Sequence, residues 1–339
     1  MGIKQLLDLQ NRVFVIAEVG NNHNGSFSTA KELLDKAVET GVDAVKYQTF
    51  NTEKWFTDKV PIFARAKTLG YKNQIDRIRD LELSIEQFLE LAKLANEAGI
   101  VFLTTVLDLD SLEAISQAIP AFKVSSADLI HIQFLEKVSK INKPVILSTG
   151  QATVEEIDQA ISIFPEEHVA LLHCVSSYPT PENQVNLNSI NFLRKKYPFP
   201  IGYSDHTIGI LACEAAVAIG ARIIEKHFTL DSNQKFGDHP LSARPNEMKK
   251  LVKNIRSIEN MMGSEVKEYQ PCEVESKKQL RRSLHLRSNV KKGTALTGDL
   301  IISLVSGLGI PANKFNATLN KKVVRDMAKG EVLNEDDLK

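Results

Sequence analysis

From residue 13 the chain alternates short apolar runs with longer amphipathic stretches. Val13-Phe14-Val15-Ile16-Ala17 is continuous, β-branched and bounded by polar residues, the pattern of a strand buried on both faces. A helix follows: Ala30, Leu33, Leu34, Ala37 and Val38 recur at helical spacing and Gly41 suits the C-terminal cap. Ala44-Val45 opens a second strand leading into Lys46 and Gln48, and Ser84-Ile85-Glu86-Gln87 is a capping box before Phe88, Leu91, Ala92 and Ala95. Further strands read at Ile100–Leu103, Ala121–Val124, Pro144–Leu147, Val169–Leu172, Pro200–Ile201 and Arg222–Ile224, with a second capping box at Thr153-Val154-Glu155-Glu156. Pro245 opens a last helix with Met248, Leu251, Val252, Ile255 and Ile258 as its stripe. Eight strand–helix units are the count of a closed α/β barrel, a (β/α)8 or TIM barrel; a doubly wound open sheet shares the same local pattern.

Two stretches break the rhythm. The connection from Asn51, about 35 residues long and containing Trp55, Pro61 and Gly70, is longer than a structural link needs, which marks it as functional. Beyond residue 262 the barrel pattern stops: residues 263–280 read as a polar linker and 281–339 as a separate small domain. In that domain Lys292-Gly293-x-x-Leu296-x-x-Asp299 returns as Lys329-Gly330-x-x-Leu333-x-x-Asp336, the mark of an internal duplication.

Composition narrows the function classes. Lys plus Arg and Asp plus Glu balance at 42 each, which argues against a nucleic-acid partner held by a general basic field. Three widely spaced cysteines make no disulfide framework or zinc ribbon. The first residues lack the apolar core of a signal peptide and no run reaches membrane-spanning length, so the expected setting is the cytoplasm, away from the membrane.

The chemistry gathers where strands end. In order these positions are Glu18; Lys46 and Gln48; Thr104 and Thr105; Lys123, Ser125, Ser126 and Asp128; Ser148, Thr149 and Gly150; His173 and Tyr178; Ser204, Asp205 and His206; Glu225, Lys226 and His227. In a barrel all of these are expected at the rim that carries active sites. Two lysines among hydroxyls suit phosphate and carboxylate, and two imidazoles, His206 and His227, suit a divalent metal with open positions for substrate. Taken singly, a serine at a strand end caps the next helix as readily as it binds a ligand, a lone lysine pairs with a carboxylate, and His173 reads as a satisfied core residue. His131, His168 and His285 have no such context and read as structural or exposed. Convergence of eight strand ends is what favours a site.

These runs resemble the sialic acid synthase family. The likeness is carried by Ala17-Glu18-Val19-Gly20-Asn21-Asn22-His23-Asn24-Gly25, Val45-Lys46-Tyr47-Gln48-Thr49, Phe122-Lys123-Val124-Ser125-Ser126-Ala127-Asp128, Leu147-Ser148-Thr149-Gly150, His173-Cys174-Val175-Ser176-Ser177-Tyr178-Pro179, Tyr203-Ser204-Asp205-His206-Thr207 and Glu225-Lys226-His227-Phe228-Thr229, in that order over most of the chain. From Arg281-Arg282-Ser283-Leu284 onward the chain resembles that family's antifreeze-like (SAF) domain. The resemblance implies a TIM barrel joined to the antifreeze-like domain, in a domain-swapped homodimer. It implies a transferase that joins phosphoenolpyruvate to the open-chain form of an N-acetylated sugar, giving a nine-carbon 2-keto sugar acid and phosphate. N-acetylmannosamine giving N-acetylneuraminate is the first expectation; a deoxy-diacetamido sugar giving legionaminate or pseudaminate is the alternative. By motif, His206 and His227 match metal ligands, for manganese or magnesium. Lys46, Thr105, Lys123, Ser126, Ser148 and Ser204 match positions holding phosphoenolpyruvate, while Glu18, Gln48, Tyr178 and Asp238 lie toward the sugar. Asp128 stands where the family has Glu or Asp beside the reacting carbons, and Asp128 or Glu18 is expected to orient the water that releases phosphate.

Three positions depart from the family pattern. Val305-Ser306-Gly307-Leu308-Gly309 replaces Arg-Pro-Gly-x-Gly, Val106 stands where proline is common, and Ser176 where asparagine occurs. All three bear on which sugar enters. Two rival classes are a Schiff-base aldolase using Lys46 or Lys123 and a non-catalytic carbohydrate-binding protein. Neither accounts for phosphate-type and metal-type residues occurring together.

Overall fold

The computed structural model describes residues 2–7, 12–234 and 237–339, with the side chains of residues 64 and 65 aside. Eight parallel strands close into a barrel in sequence order: β1 (Phe14–Gly20), β2 (Ala44–Thr49), β3 (Val101–Val106), β4 (Phe122–Val124), β5 (Val145–Ser148), β6 (Val169–Cys174), β7 (Ile201–Asp205) and β8 (Ile223–His227). Closure is made by β1 pairing with β8, from Phe14 opposite Ile223 to Glu18 opposite His227. The open-sheet alternative is thereby removed.

Most strands run further than their apolar cores suggest. β2, β6, β7 and β8 continue through Lys46, His173, Ser204 and Glu225, because alternate residues there face a polar barrel mouth rather than an apolar core. The lower interior is filled by Phe14, Ile16, Ala44, Leu103, Ala121, Ile146, Ala170, Leu172 and Ile223, together with Ile3 and Leu7 from the N-terminal segment. The opposite parity, including Val15, Ala17, Val45, Phe122, Leu147, Leu171, Tyr203 and Ile224, packs against the helices. Two apolar layers therefore flank a wall one strand thick.

The helices start where their caps dictate. Ser26 accepts the Thr29 amide to open Phe27–Thr40, which Gly41 ends in the left-handed conformation at φ 81°. Both capping boxes form, Ser84 with Gln87 and Thr153 with Glu156. The long β2 connection carries three short helices, Thr52–Trp55, Ala64–Thr68 and Gln74–Arg79. Pro245–Met262 buries Met248, Leu251, Val252 and Ile255.

The chain divides into two units, residues 1–263 and 264–339. The segment read as a linker is not without structure, since it carries a helix at Val274–Leu280. In the second unit β9 (Arg282–Leu286) and β10 (Ile301–Val305) pair antiparallel over a core of Leu284, Leu286, Leu296, Ile301, Val323 and Leu333. The duplicated segments adopt the same turn and short 3-10 helix, at Gly298–Leu300 and Glu335–Asp337, and pair through reciprocal bonds between Val290 and Met327, each 2.9 Å.

Candidate functional site

Strand parity decides which polar side chains enter the barrel mouth. Counting in twos from the apolar interior gives Glu18 above Ile16, Lys46 and Gln48 above Ala44, Thr105 above Leu103, Lys123 above Ala121, Ser148 above Ile146, Cys174 above Leu172, and Glu225 and His227 above Ile223. The other parity faces the helices. Asp205, Lys226, His173 and Thr104 belong to that outer set, so the expectation that every strand-end polar group faces the rim is corrected. His173 stacks on Tyr203 at 5.7 Å and bonds the Val185 carbonyl, and Thr104 bonds Thr49.

The inward groups form a buried charge cluster. The Lys46 ammonium lies 2.7 Å from Glu18 Oε2, donates to Thr105 at 2.7 Å, and is 3.9 Å from Glu225 Oε2. Lys123 donates to Ser148 at 2.7 Å and lies 3.9 Å from the other Glu225 oxygen, which also accepts from Ser204 at 2.9 Å. Burial pushes the Glu18 carboxyl up, partly opposed by Lys46 and aided by Glu225. For Glu225 burial acts in the same sense but Lys123 and Lys46 outweigh it, so its carboxyl is held low. Burial also lowers the Lys123 ammonium. Two carboxylates thus share two ammonium groups, with Glu225 the firmly ionised member and its Oε2 without a hydrogen bond.

The imidazoles stand on the same mouth. Their ring centroids are 5.2 Å apart. His206 Nδ1 donates to the Val175 carbonyl at 2.8 Å, which leaves Nε2 as its lone-pair nitrogen. Burial would lower the His206 ring, but Cys174 and that carbonyl raise it. Burial holds His227 down to about 3, so it is neutral at physiological pH. His227 Nδ1 is buried without a hydrogen bond, with Asp238 Oδ2 at 3.8 Å. Tyr178, which precedes a cis proline, lays its ring 4.0 Å from His206 and meets His227 edge-on at 6.0 Å.

These rings fit a divalent ion. The buried His227 Nδ1 without a hydrogen bond and the His206 Nε2 left as a lone-pair nitrogen sit on neighbouring rings, and these two residues would hold it. Neutral imidazole is the ligating form, and burial favours it for His227. Among the described residues no three His, Cys, Asp or Glu side chains converge on one point.

One cavity of about 910 Å³ holds all of this, a size suited to two small reactants. Glu18, Lys46, Gln48, Thr105, Lys123, Ser126, Ser148, Tyr178, Ser204, His206, His227 and Asp238 line it. Gln48 accepts from Asn21 at 2.7 Å and approaches Glu18 at 3.4 Å. Asp128 is placed differently: it ends a short 3-10 turn that Ser125 caps, its carboxylate accepts from the Ser125 hydroxyl at 2.6 Å, and it is not part of the lining. Gly150 donates its amide to Ser126 at 3.0 Å, and a Cβ there would stand 2.5 Å from Ser176 and 2.8 Å from Ser126. Only glycine lets these hydroxyls close on its backbone. The β2 connection supplies an apolar wall of Trp55, Phe56, Phe63 and Leu69.

Glu225 is the residue the sequence reading passed over. A glutamate at a strand end signals no role by itself, yet Glu225 lies 3.9 Å from each of Lys46 and Lys123 and ties the two together. Its signal was present as position: two residues before His227 on a strand, it must share that side chain's face.

Residues 33–267 match the NeuB family and residues 281–339 the SAF domain. The chain belongs to the NeuB family. Its similarity to characterised NeuB proteins spans nearly the whole length. It is 34% identical to the N,N'-diacetyllegionaminic acid synthase of Campylobacter jejuni, over 96% of this chain and 99% of that one. It is 33% identical to human N-acetylneuraminate-9-phosphate synthase, over 96% of this chain and 93% of that one. Among solved structures, the N-acetylneuraminic acid synthetase of Leptospira borgpetersenii, crystallised with citrate, superposes with a TM-score of 0.72 at 37% identity, over 78% of this chain and 90% of that chain. These NeuB relatives are synthases, so the chain is a transferase-type enzyme of the nonulosonic acid synthase family. No helix among the described residues is long and apolar enough to cross a membrane.

Proposed function

We propose that this NeuB protein condenses phosphoenolpyruvate with the open-chain aldehyde of an N-acetylated sugar, N-acetylmannosamine in the first reading, to give N-acetylneuraminate and phosphate. The observation that carries this is the cavity itself: two buried lysines among hydroxyls on one side, two adjacent imidazoles on the other. Lys46, Lys123, Thr105, Ser126, Ser148 and Ser204 hold the phosphate and carboxylate of phosphoenolpyruvate through charge-assisted bonds. Glu18, Gln48, Tyr178 and Asp238 hold the sugar. His206 and His227 would hold manganese or magnesium, which supplies Lewis-acid polarisation of the aldehyde oxygen.

The methylene carbon (C3) of phosphoenolpyruvate forms the new bond to the aldehyde carbon, and the aldehyde oxygen takes up a proton to end as a hydroxyl. Water adds to C2, the carbon that carries the phosphate oxygen, and gives up a proton; the C2–oxygen bond to phosphate breaks, and phosphate leaves with the 2-keto group formed. Glu18, whose carboxyl is raised by burial, lies within the cavity and takes the role of orienting that water and moving its proton. Asp128, which accepts from the cavity-lining Ser125, is the alternative group for that role. Fixing both reactants in one cavity replaces a bimolecular encounter by a near-unimolecular step.

A second reading concerns the sugar. The apolar wall of Trp55, Phe56, Phe63 and Leu69 favours an acceptor with deoxygenated, acylated carbons. That would be a deoxy-diacetamido sugar, as the legionaminic acid synthase relatives suggest. We further infer a cytoplasmic enzyme working as a homodimer that exchanges its second units.

The test is phosphate release from phosphoenolpyruvate with manganese across N-acetylmannosamine, its 6-phosphate and the deoxy-diacetamido sugars, with product mass naming the acid. His206→Ala and His227→Ala should each abolish metal-dependent turnover. Trapping of a pyruvate adduct by borohydride with indifference to chelators would overturn the proposal in favour of Schiff-base chemistry.

A further inference from the structure

We propose that the buried Asp205–Lys226 pair, on the outer face of the barrel wall, is a positioning device that sets the spacing of the His206 and His227 rings; this rests on the metal-bearing reading above. Both side chains are completely buried, at 0% exposure, in the layer between wall and helices, a layer built mostly of apolar side chains. A paired charge in such a layer is not the cheapest way to fill it, since a well-packed apolar pair is commonly as stable. Its contacts give it another purpose. Asp205 accepts from Lys226 at 2.8 Å, Tyr203 at 2.9 Å, the Thr207 amide at 2.9 Å, the Thr207 hydroxyl at 3.2 Å and the Cys213 thiol at 3.3 Å. Lys226 reaches over from β8 to donate to the Thr207 carbonyl at 2.5 Å.

The atoms held are therefore the residues on both sides of His206, and the residue doing the holding directly precedes His227. Asp205 and Lys226 are also register partners in the β7–β8 ladder, so the side-chain pair closes the same gap as the backbone. Neither strand end can slide against the other without breaking bonds in a site that water does not reach. The imidazoles, one residue further along each strand, inherit that fixed separation.

The decisive experiment titrates the full chain with Mn2+ alone, reading free Mn2+ by electron paramagnetic resonance, beside thermal unfolding without metal. Asp205→Leu with Lys226→Met replaces the pair by apolar side chains. Its Tm should fall, because the Tyr203 hydroxyl and the Thr207 amide and carbonyl lose these partners, and in the folded variant Mn2+ affinity should fall roughly 10–100-fold. Asp205→Asn with Lys226→Gln, which retains neutral hydrogen-bonding reach, should recover a measurable part of that loss. Thr207→Val removes one hydroxyl contact and no charge; a Kd raised at least about threefold is expected, a smaller effect than loss of the whole pair. Should the double variants fail to fold, this variant decides. Unchanged Mn2+ affinity in a folded double variant, or in Thr207→Val where neither double variant folds, overturns the inference. Failure of the parent chain to bind Mn2+, or undiminished binding by His206→Ala, overturns the metal reading instead.

Discussion

His23 shows how a single buried group writes itself into stability. Its Nδ1 accepts the Gly25 amide at 3.1 Å, its Nε2 has no hydrogen bond, and its ring packs 6.2 Å from Tyr47. Burial holds it down to about 4 from an ordinary value of 6.5. The unfolded chain therefore takes up this proton first as pH falls, so the neutral ring's contribution is complete above about 6.5 and is lost progressively as pH drops toward 4. The amount at stake is roughly 3 kcal/mol. His23→Gln keeps an acceptor for Gly25 without a proton to gain. Denaturant unfolding between pH 4 and 6.5 should show a slope against pH shallower by about one proton in the variant. A second prediction concerns Lys123, which holds Ser148 and faces Glu225. Lys123→Met should lower kcat/KM for the phosphate-bearing substrate by about 10–100-fold, the loss of one charge-assisted bond, and steady-state kinetics at varied phosphoenolpyruvate would read it. At this scale the sequence told much: residue types at strand ends named a phosphate-type and a metal-type set. It could not place the Asp128 carboxylate, which accepts from Ser125 three residues earlier, since nothing in a residue's type says which way it turns.

Among the elements, the caps are the most legible and the most local. Ser84 and Thr153 each accept an amide three residues on, and the return bonds from Gln87 and Glu156 are made. Ser84→Ala and Thr153→Ala should each cost about 1 kcal/mol, lowering Tm by about 2–4 °C. The helices are distinct and share no partner, so the double variant should lose close to the sum. Strand ends were less legible than strand starts. A strand begins at the first buried apolar pair, but its far end runs into a polar mouth where hydrophobicity no longer marks it. The β2 connection was recognisable as functional from its length, whereas its apolar contribution to the cavity depends on how its three short helices fold over the mouth. Trp55→Ala should therefore raise KM for the sugar severalfold, as loss of an apolar contact of about 1 kcal/mol would, and leave KM for phosphoenolpyruvate within twofold. Equal effects on both would remove that wall from sugar recognition.

The whole molecule consists of two folded units joined near residue 263. Residues 264–273 are exposed throughout and include Lys267, so brief trypsin treatment should cut there first. Two fragments are expected, one close to the first 263 residues and one spanning the second unit. Mass spectrometry of the products checks it, and early cleavage within the barrel strands would contradict the division. The larger organisation was readable because each level repeats one rule: eight strand–helix units, then a duplicated motif. The sequence by itself determined the order of elements, their caps, the break in pattern past residue 262 and the inventory of reactive groups, since these depend on spacing along the chain. Only the tertiary structure decided that the sheet closes, that Glu225 ties Lys46 to Lys123, and that Asp205 and Lys226 turn away from the cavity to hold each other. Those outcomes depend on which faces meet when strands distant along the chain become neighbours, and no local spacing contains that information.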